Sequence, residues 1–289
     1  MSRFLLVLLI VALILSFTTA IAQESKENSF KVQLARHATL LITVGQSKIL
    51  VDPMFSECAS HPPIPSTPNQ VKNPLVPLAV SLPELLAVDA ILLTHTHFDH
   101  FDDVAKKMLP RNIPLFCQPM DAKSIQELGF TYVIPVESTY QWGDLTISRV
   151  SGKHGRGELE KMMGPVSGFI FTTKSKNSLY ITGDCIYNEE VEYAMEQFQP
   201  NYIIAYTGAA QFLFGLPITM TKEEIESLCT YSKKATIIAV HLEAVNHCVL
   251  TRKDLHVFLQ QKNLTHRVLI PKDGEILHLN PSSLQSNSN

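Results

Sequence analysis

The sequence of 289 residues contains no block of Lys and Arg, no CxxC pair, and no second apolar run long enough to cross a bilayer after the one at its start. Each absence removes a class of function. Basic residues are scattered and the formal net charge is −3, so the electrostatic footprint demanded by a phosphate backbone is missing, and nucleic acid is not an expected partner. The cysteines Cys58, Cys117, Cys185, Cys229 and Cys248 are spaced too widely for a disulfide framework or a thiolate zinc site. Their number is odd, which leaves at least one thiol unpaired within the chain, and they read as small buried hydrophobes.

The opening segment is read apart from the fold. Residues 4–15 are uniformly apolar after Ser2 and Arg3, and Ala20 and Ala22 supply small residues suited to cleavage after Ala22. No Cys follows, so lipid attachment is not expected. The expected organisation is a signal peptide at 1–22, one hydrolase domain at 23–280, and a flexible Ser/Asn-rich tail at 281–289. The chain is then exported, periplasmic or secreted. Left uncleaved, the same segment would hold it on a membrane.

Short β-rich runs come first, at 30–35, 39–44 and 48–52, the last two joined as a hairpin. A stretch rich in Pro and Asn (61–77) follows, either a lid or an exposed insertion. Ser81 and Glu84 have capping-box spacing before a short helix. Strands are expected at 90–94, 114–118, 132–136, 145–150, 167–173, 178–183, 202–206, 236–240, 267–271 and 275–279. Helices are expected at 121–128 and 189–198 and after the caps Thr221 and Thr251. Both halves open with hairpin material and then alternate strand with helix. That order suits an α/β fold of two packed sheets with helices outside, a four-layer αββα sandwich.

The chemistry concentrates at the end of the expected strand 90–94. His95, His97, Asp99 and His100 put four potential ligands within six residues. Alternating His95 and His97 can chelate one cation, and Asp99 and His100 can face a second. Imidazole and carboxylate suit zinc first, with manganese or iron also accommodated. Further donors stand singly at other strand ends: His154, Asp184 and His241. One arrangement repeated along the chain points to convergence on one edge of a sandwich.

With these residues in place, the mature chain resembles the metallo-β-lactamase superfamily. The resemblance rests on the HxHxDH motif at 95–100, the single His154, the Gly183–Asp184 pair and the last His241. It implies that His95, His97 and His154 hold one metal, that Asp99, His100 and His241 hold another, and that Asp184 bridges the two. His37, with Asp52 and Pro53, is similar to the branch containing sugar-phosphate lactonases and the phospholipase D acting on N-acyl phosphatidylethanolamines. There His37 and Asp52 would support the ligands from behind. The implied activity is that of an exported dinuclear metal-dependent hydrolase, in which a metal-bridging hydroxide cleaves an ester, lactone or phosphodiester bond and Asp99 carries the proton.

Three segments are candidates for contact with a small, in some cases anionic, substrate. Arg156, beside Lys153 and His154, could bind an anion. His247 could hydrogen-bond substrate. Gln211 follows another strand end. The rival readings are a non-catalytic metal-binding periplasmic protein and a β-lactam hydrolase. Asp184 argues against the second, because true β-lactamases of the superfamily usually lack an Asp there. A diiron redox enzyme would need an attached electron-transfer domain, for which this chain has no room.

Overall fold

A computed structural model of the chain describes residues 29–280. The expected signal peptide and the expected tail lie outside the described residues. Among those residues no helix is long and apolar enough to cross a membrane.

Two seven-stranded sheets form from the described residues, and each half of the chain builds one the same way. In the first, β1 (Phe30–Arg36), β2 (Thr39–Val44) and β3 (Ser47–Val51) make an antiparallel meander. Val44 pairs with Ser47 across a two-residue turn, and Gly45 supplies the positive φ of 60° that a turn this tight requires. The chain then switches to parallel pairing through β4 (Ala90–Leu92), β5 (Leu115–Cys117) and β6 (Val133–Pro135). Parallel neighbours need crossovers, which α1 (Leu82–Leu86), α2 (Asp103–Met108) and α3 (Ala122–Glu127) provide. The second sheet repeats the plan. Antiparallel β7 (Thr139–Trp142), β8 (Leu145–Gly152), β9 (Val166–Thr172) and β10 (Ser178–Ile181) lead to parallel β11 (Tyr202–Tyr206), β12 (Thr236–Val240) and β13 (Val268–Leu269). Helices α5 (Glu189–Phe198), α6 (Lys222–Tyr231) and α7 (Arg252–Gln261) make these crossovers, while α4 (Glu158–Met163) lies between β8 and β9. Strand β14 (Ile276–Leu279) returns to pair with β1.

Burial follows the layers. Leu34, Ile42, Leu92, Phe116, Phe169, Ile204 and Ile238 interlock between the sheets. The opposite faces of the same strands carry Ile91, Leu115, Ile203 and Ile237 against the helices. Near-continuous apolar strands such as Tyr-Ile-Ile-Ala-Tyr in β11 are what burial on both faces demands. The αββα sandwich expected from the element order is the fold observed.

Three elements were not legible in the sequence. Strand β7 is a half-exposed edge with little apolar signal, and α2 and α4 have six residues each, too few to show a helical period. The 61–77 stretch is largely exposed or half-buried, as an insertion would be, but it is tied down. His61 and Asn73 exchange backbone hydrogen bonds. The buried Asn246 amide then ties the stretch down, accepting from Ile64 N and Asn73 Nδ2 and donating to Thr67 Oγ1.

Candidate metal centre

Parallel strands that end in register place their next residues side by side. Val51 pairs with Leu92 and Tyr206 with Val240, so Asp52, Thr94, His95 and His241 leave the sheets at one edge. Gly183 turns the chain after β10 at φ 66°; a Cβ there would stand 2.8 Å from the Ser167 carbonyl oxygen. Glycine is therefore what allows Asp184 to point back into the same space. After His97 the chain tightens, with His100 N and Phe101 N both donating to His97 O, which turns Asp99 and His100 to the far side of the cluster.

Three overlapping sets of donors result: His95, His97 and His154; His37, Asp99, His100 and His241; and His95, His100 and Asp184. Asp184 reaches both of the other sets. Its Oδ2 is 3.2 Å from His100 Nε2 and 3.4 Å from His154 Nε2, and its Oδ1 is 3.0 Å from His241 Nε2.

The outer nitrogen of four of these histidines is spoken for. His100 Nδ1 meets Asp52 Oδ2 at 2.9 Å, His154 Nδ1 meets Ile218 O at 3.0 Å, and His241 Nδ1 lies 3.5 Å from Cys248 Sγ. His95 Nδ1 lies 3.1 Å from Thr94 Oγ1, which in turn donates to Asp52 Oδ2 at 2.7 Å. The Asp52 carboxylate and the Ile218 carbonyl only accept, and the Thr94 hydroxyl gives its own hydrogen to Asp52, so these contacts hold a ring hydrogen on Nδ1 of His100, His154 and His95 and turn Nε2 inward. Asp52 is the keystone, since its carboxylate also accepts Thr94 N and Tyr206 OH.

Electrostatics agree for His95 and His154 and differ for His100. Burial, with His100 and His97 adding to it, holds His95 well below the usual imidazole range, and burial brings His154 down to about 4, so both are neutral. Burial also lowers His37 well below its ordinary value and His247 to about 4. At His100 burial acts downward too, but the carboxylates of Asp184 and Asp99 outweigh it and raise the ring well above its usual range. At Asp184 burial acts upward, and His100 and His241 outweigh it; at Asp99 His100, His37 and His247 do so, and both acids stay well below the usual carboxylate range. Among the described residues no Lys or Arg pairs with Asp52, Asp99 or Asp184, so three buried carboxylates surround a place that calls for positive charge. Asp184 Oδ1 shows that a cation fits. It lies 3.0 Å from His241 Nε2, yet the two atoms make no aligned hydrogen bond, and the oxygen is buried without a partner.

The sequence pattern of the Beta-lactamase superfamily domain matches residues 47–242, which span the ligand cluster from Asp52 to His241. The chain belongs to the metallo-β-lactamase superfamily. Within this superfamily it is similar to the UPF0173 protein YddR of Bacillus subtilis, 38% identical over 244 residues that cover 83% of this chain and 96% of YddR. It also resembles the structure of an isothiocyanate hydrolase from Delia radicum gut bacteria, with a TM-score of 0.83 and 33% identity, covering 86% of this chain and 99% of that one. The structure of a possible metal-dependent hydrolase from Veillonella parvula matches at the same TM-score and identity, covering 86% of this chain and 98% of that one. Further relatives are named UPF0173 metal-dependent hydrolases, and this chain carries a His/Asp cluster that could hold a metal ion.

Around this metallo-β-lactamase centre the other candidate residues divide. His247 is buried beside it, with Nε2 3.7 Å from Asp99 Oδ2. Gln211 stands next to His247, its backbone N–H donating to His247 O. Arg156 is turned elsewhere. Its guanidinium pairs with Glu224 of α6, and the neighbouring Lys153 pairs with Glu189 of α5, so the expected cationic cradle is already neutralised by the protein. Cys185 accepts from Lys153 N and Asn188 Nδ2 and stays out of the cluster. Thr94 and Tyr206 on Asp52, and Cys248 on His241, were not singled out from the sequence; no local signal marks a residue that acts on a ligand from another strand.

Proposed function

We propose that this chain is a dinuclear hydrolase whose substrate is small, uncharged and carries an electrophilic carbon, with isothiocyanates the class best supported. The observation behind this reading is the wall beside the metal centre. Met54, Leu159, Ala210, Ile218, Val245 and Cys248 form one apolar cluster, extended by Ile64, Phe98, Met163 and Phe212. Phe98 belongs to the HxHxDH loop itself and Cys248 touches His241, so the cluster borders the ligands directly. An apolar wall with both nearby cations committed to acids favours a neutral substrate over a phosphodiester or sugar phosphate. The similarity to an isothiocyanate hydrolase supports the same choice.

The residues fit zinc, with manganese or iron accommodated: His95, His97 and His154 would hold one cation, Asp99, His100 and His241 the other, and Asp184 both. Bound there, two divalent cations supply an activated water at neutral pH and polarise the bond under attack. The carboxylate of Asp99, whose Oδ2 faces the cluster, would accept the proton of the attacking water and return it to the leaving nitrogen. The buried, neutral His247 stands 3.7 Å from that oxygen, where it can donate to the substrate sulfur. For an isothiocyanate one water is consumed overall: its oxygen ends double-bonded to the carbon, the carbon–nitrogen double bond is broken, both water protons end on nitrogen, and an amine and carbonyl sulfide leave. Residues 1–22 are proposed to direct export.

The test is metal content of the purified mature chain together with turnover of isothiocyanates, lactones, simple esters and phosphodiesters. Two metals per chain and preferred turnover of isothiocyanates are expected, with Arg156→Ala leaving every activity unchanged. Turnover confined to phosphodiesters, weakened by Arg156→Ala, would refute the neutral-substrate reading. Sequencing the amino terminus of exported material tests cleavage after Ala22.

A further inference from the structure

His37 is the first residue of the two-residue turn that joins β1 to β2, between the paired Arg36 and Thr39. The pairing of β1 with β2 slips between Leu34 and Arg36, and His37 takes a left-handed φ of 57° although it is not glycine. The residue is nonetheless fully buried, whereas the tip of a hairpin ordinarily faces solvent. A two-residue hairpin turn calls for positive φ at its first residue, a place glycine usually takes, so a fully buried His there points to contacts beyond the turn.

The contacts lie in the metal centre. His37 Nε2 is 3.2 Å from Asp99 Oδ2. Its ring lies 3.7 Å from the His241 ring, centroid to centroid, and its carbonyl accepts the backbone N–H of His241 at 3.0 Å. By distance alone His37 could itself be a ligand, since it groups with Asp99, His100 and His241. The other ring nitrogen decides between the two roles. His37 Nδ1 is buried and has no hydrogen-bond partner. A hydrogen placed there would be a buried donor with nothing to meet, a rarer and costlier defect than a bare lone pair. The hydrogen therefore sits on Nε2, where Asp99 accepts it, and a nitrogen that donates a hydrogen has no lone pair left for a cation.

We infer that His37 is a positioning residue and not an additional ligand. It pins Asp99 Oδ2 with its side chain and His241 with its carbonyl and ring, so that two ligands of one cation are held by a single bent turn. Resting on the two-cation reading above, this predicts that His37 governs one cation only. Asp52, Thr94 and the Ile218 carbonyl, not His37, fix His95 and His154 in the other set.

The experiment titrates Co²⁺ into the metal-free full chain, following its d–d absorption, for wild type, His37→Leu and His37→Gln. The Gln side chain offers an amide N–H₂ at similar reach and Leu offers none. In His37→Leu one Co²⁺ should bind as in wild type and the other about 10- to 100-fold more weakly, the usual effect of removing a ligand's outer partner. His37→Gln should recover most of that loss and, at saturation, show the wild-type spectrum. Equal affinity for both ions in His37→Leu would overturn the inference. So would parallel loss of both ions, which marks a scaffold defect, or a changed spectrum in saturated His37→Gln, which marks direct ligation. Wild type binding fewer than two Co²⁺ would overturn the two-cation reading, and this inference with it.

Discussion

Replacing Asp52 by Asn changes one atom in a fully buried side chain and should damage the metal centre from behind. The carboxylate accepts four hydrogen bonds: Thr94 N on Oδ1 at 2.8 Å, and on Oδ2 Thr94 Oγ1 at 2.7 Å, His100 Nδ1 at 2.9 Å and Tyr206 OH at 2.9 Å. An amide has only one accepting oxygen. The least costly orientation keeps that oxygen at the Oδ2 position and turns the NH₂ against Thr94 N–H. A buried backbone donor is then left unmet, which costs about 1–3 kcal/mol. The three remaining bonds fall from charge-assisted to neutral strength, a loss of about 1 kcal/mol each. The sum is about 4–6 kcal/mol, a large share of the roughly 5–15 kcal/mol that holds a typical domain folded. For a domain of this size the melting temperature should drop by about 10 °C. His100 also loses the partner that fixes its tautomer, so metal affinity should fall about 10- to 100-fold. Circular dichroism melting of the metal-free chain and competitive metal titration measure the two effects separately. A melting temperature within about 2 °C of wild type together with unchanged affinity would refute the assignment of Asp52 as keystone. Tyr206→Phe removes one of the four bonds and should cost only about 1–2 kcal/mol.

Gly208→Ala should cripple activity, because a Cβ there would stand 2.3 Å from the His241 carbonyl oxygen and 2.8 Å from Cys248 Sγ. Relief requires His241 to move by about 1 Å, which costs on the order of 100-fold in rate, to be read as kcat/KM; near-wild-type turnover would refute the close approach. Asn246→Ala should free the 61–77 stretch and increase its hydrogen exchange, with melting lowered by the loss of the contacts to Ile64, Asn73 and Thr67; unchanged protection at residues 61–73 would count against the clamp. Acidification should destabilise the metal-free chain. Burial holds His154 and His247 at about 4, so between about pH 6.5 and 4 the unfolded chain binds protons that the folded chain refuses, and stability falls as pH falls. His100, raised by Asp184 and Asp99, is protonated in both states over most of this window and adds little to the slope, while His37 and His95 add to the fall. A melting temperature that rises between pH 6.5 and 4 would show the sign to be wrong.

What the sequence determined by itself is the part of the centre that is local. His95, His97, Asp99 and His100 share one loop, so their spacing carries the chemistry, and His154, Asp184 and His241 stand out because each follows an apolar strand. The layered fold was also legible, since hairpin runs followed by alternating strands and helices leave few ways to bury both faces of a sheet. Tertiary structure alone decided the rest, because a hydrogen bond carries no sequence signal when its partners are far apart. Tyr206 meets Asp52 across 154 residues, Asn246 meets Asn73 across 173, and Arg156 is claimed by Glu224 across 68. The last of these changed the expected chemistry: the Arg156 charge is already paired in space, and the wall beside the candidate ligands is apolar.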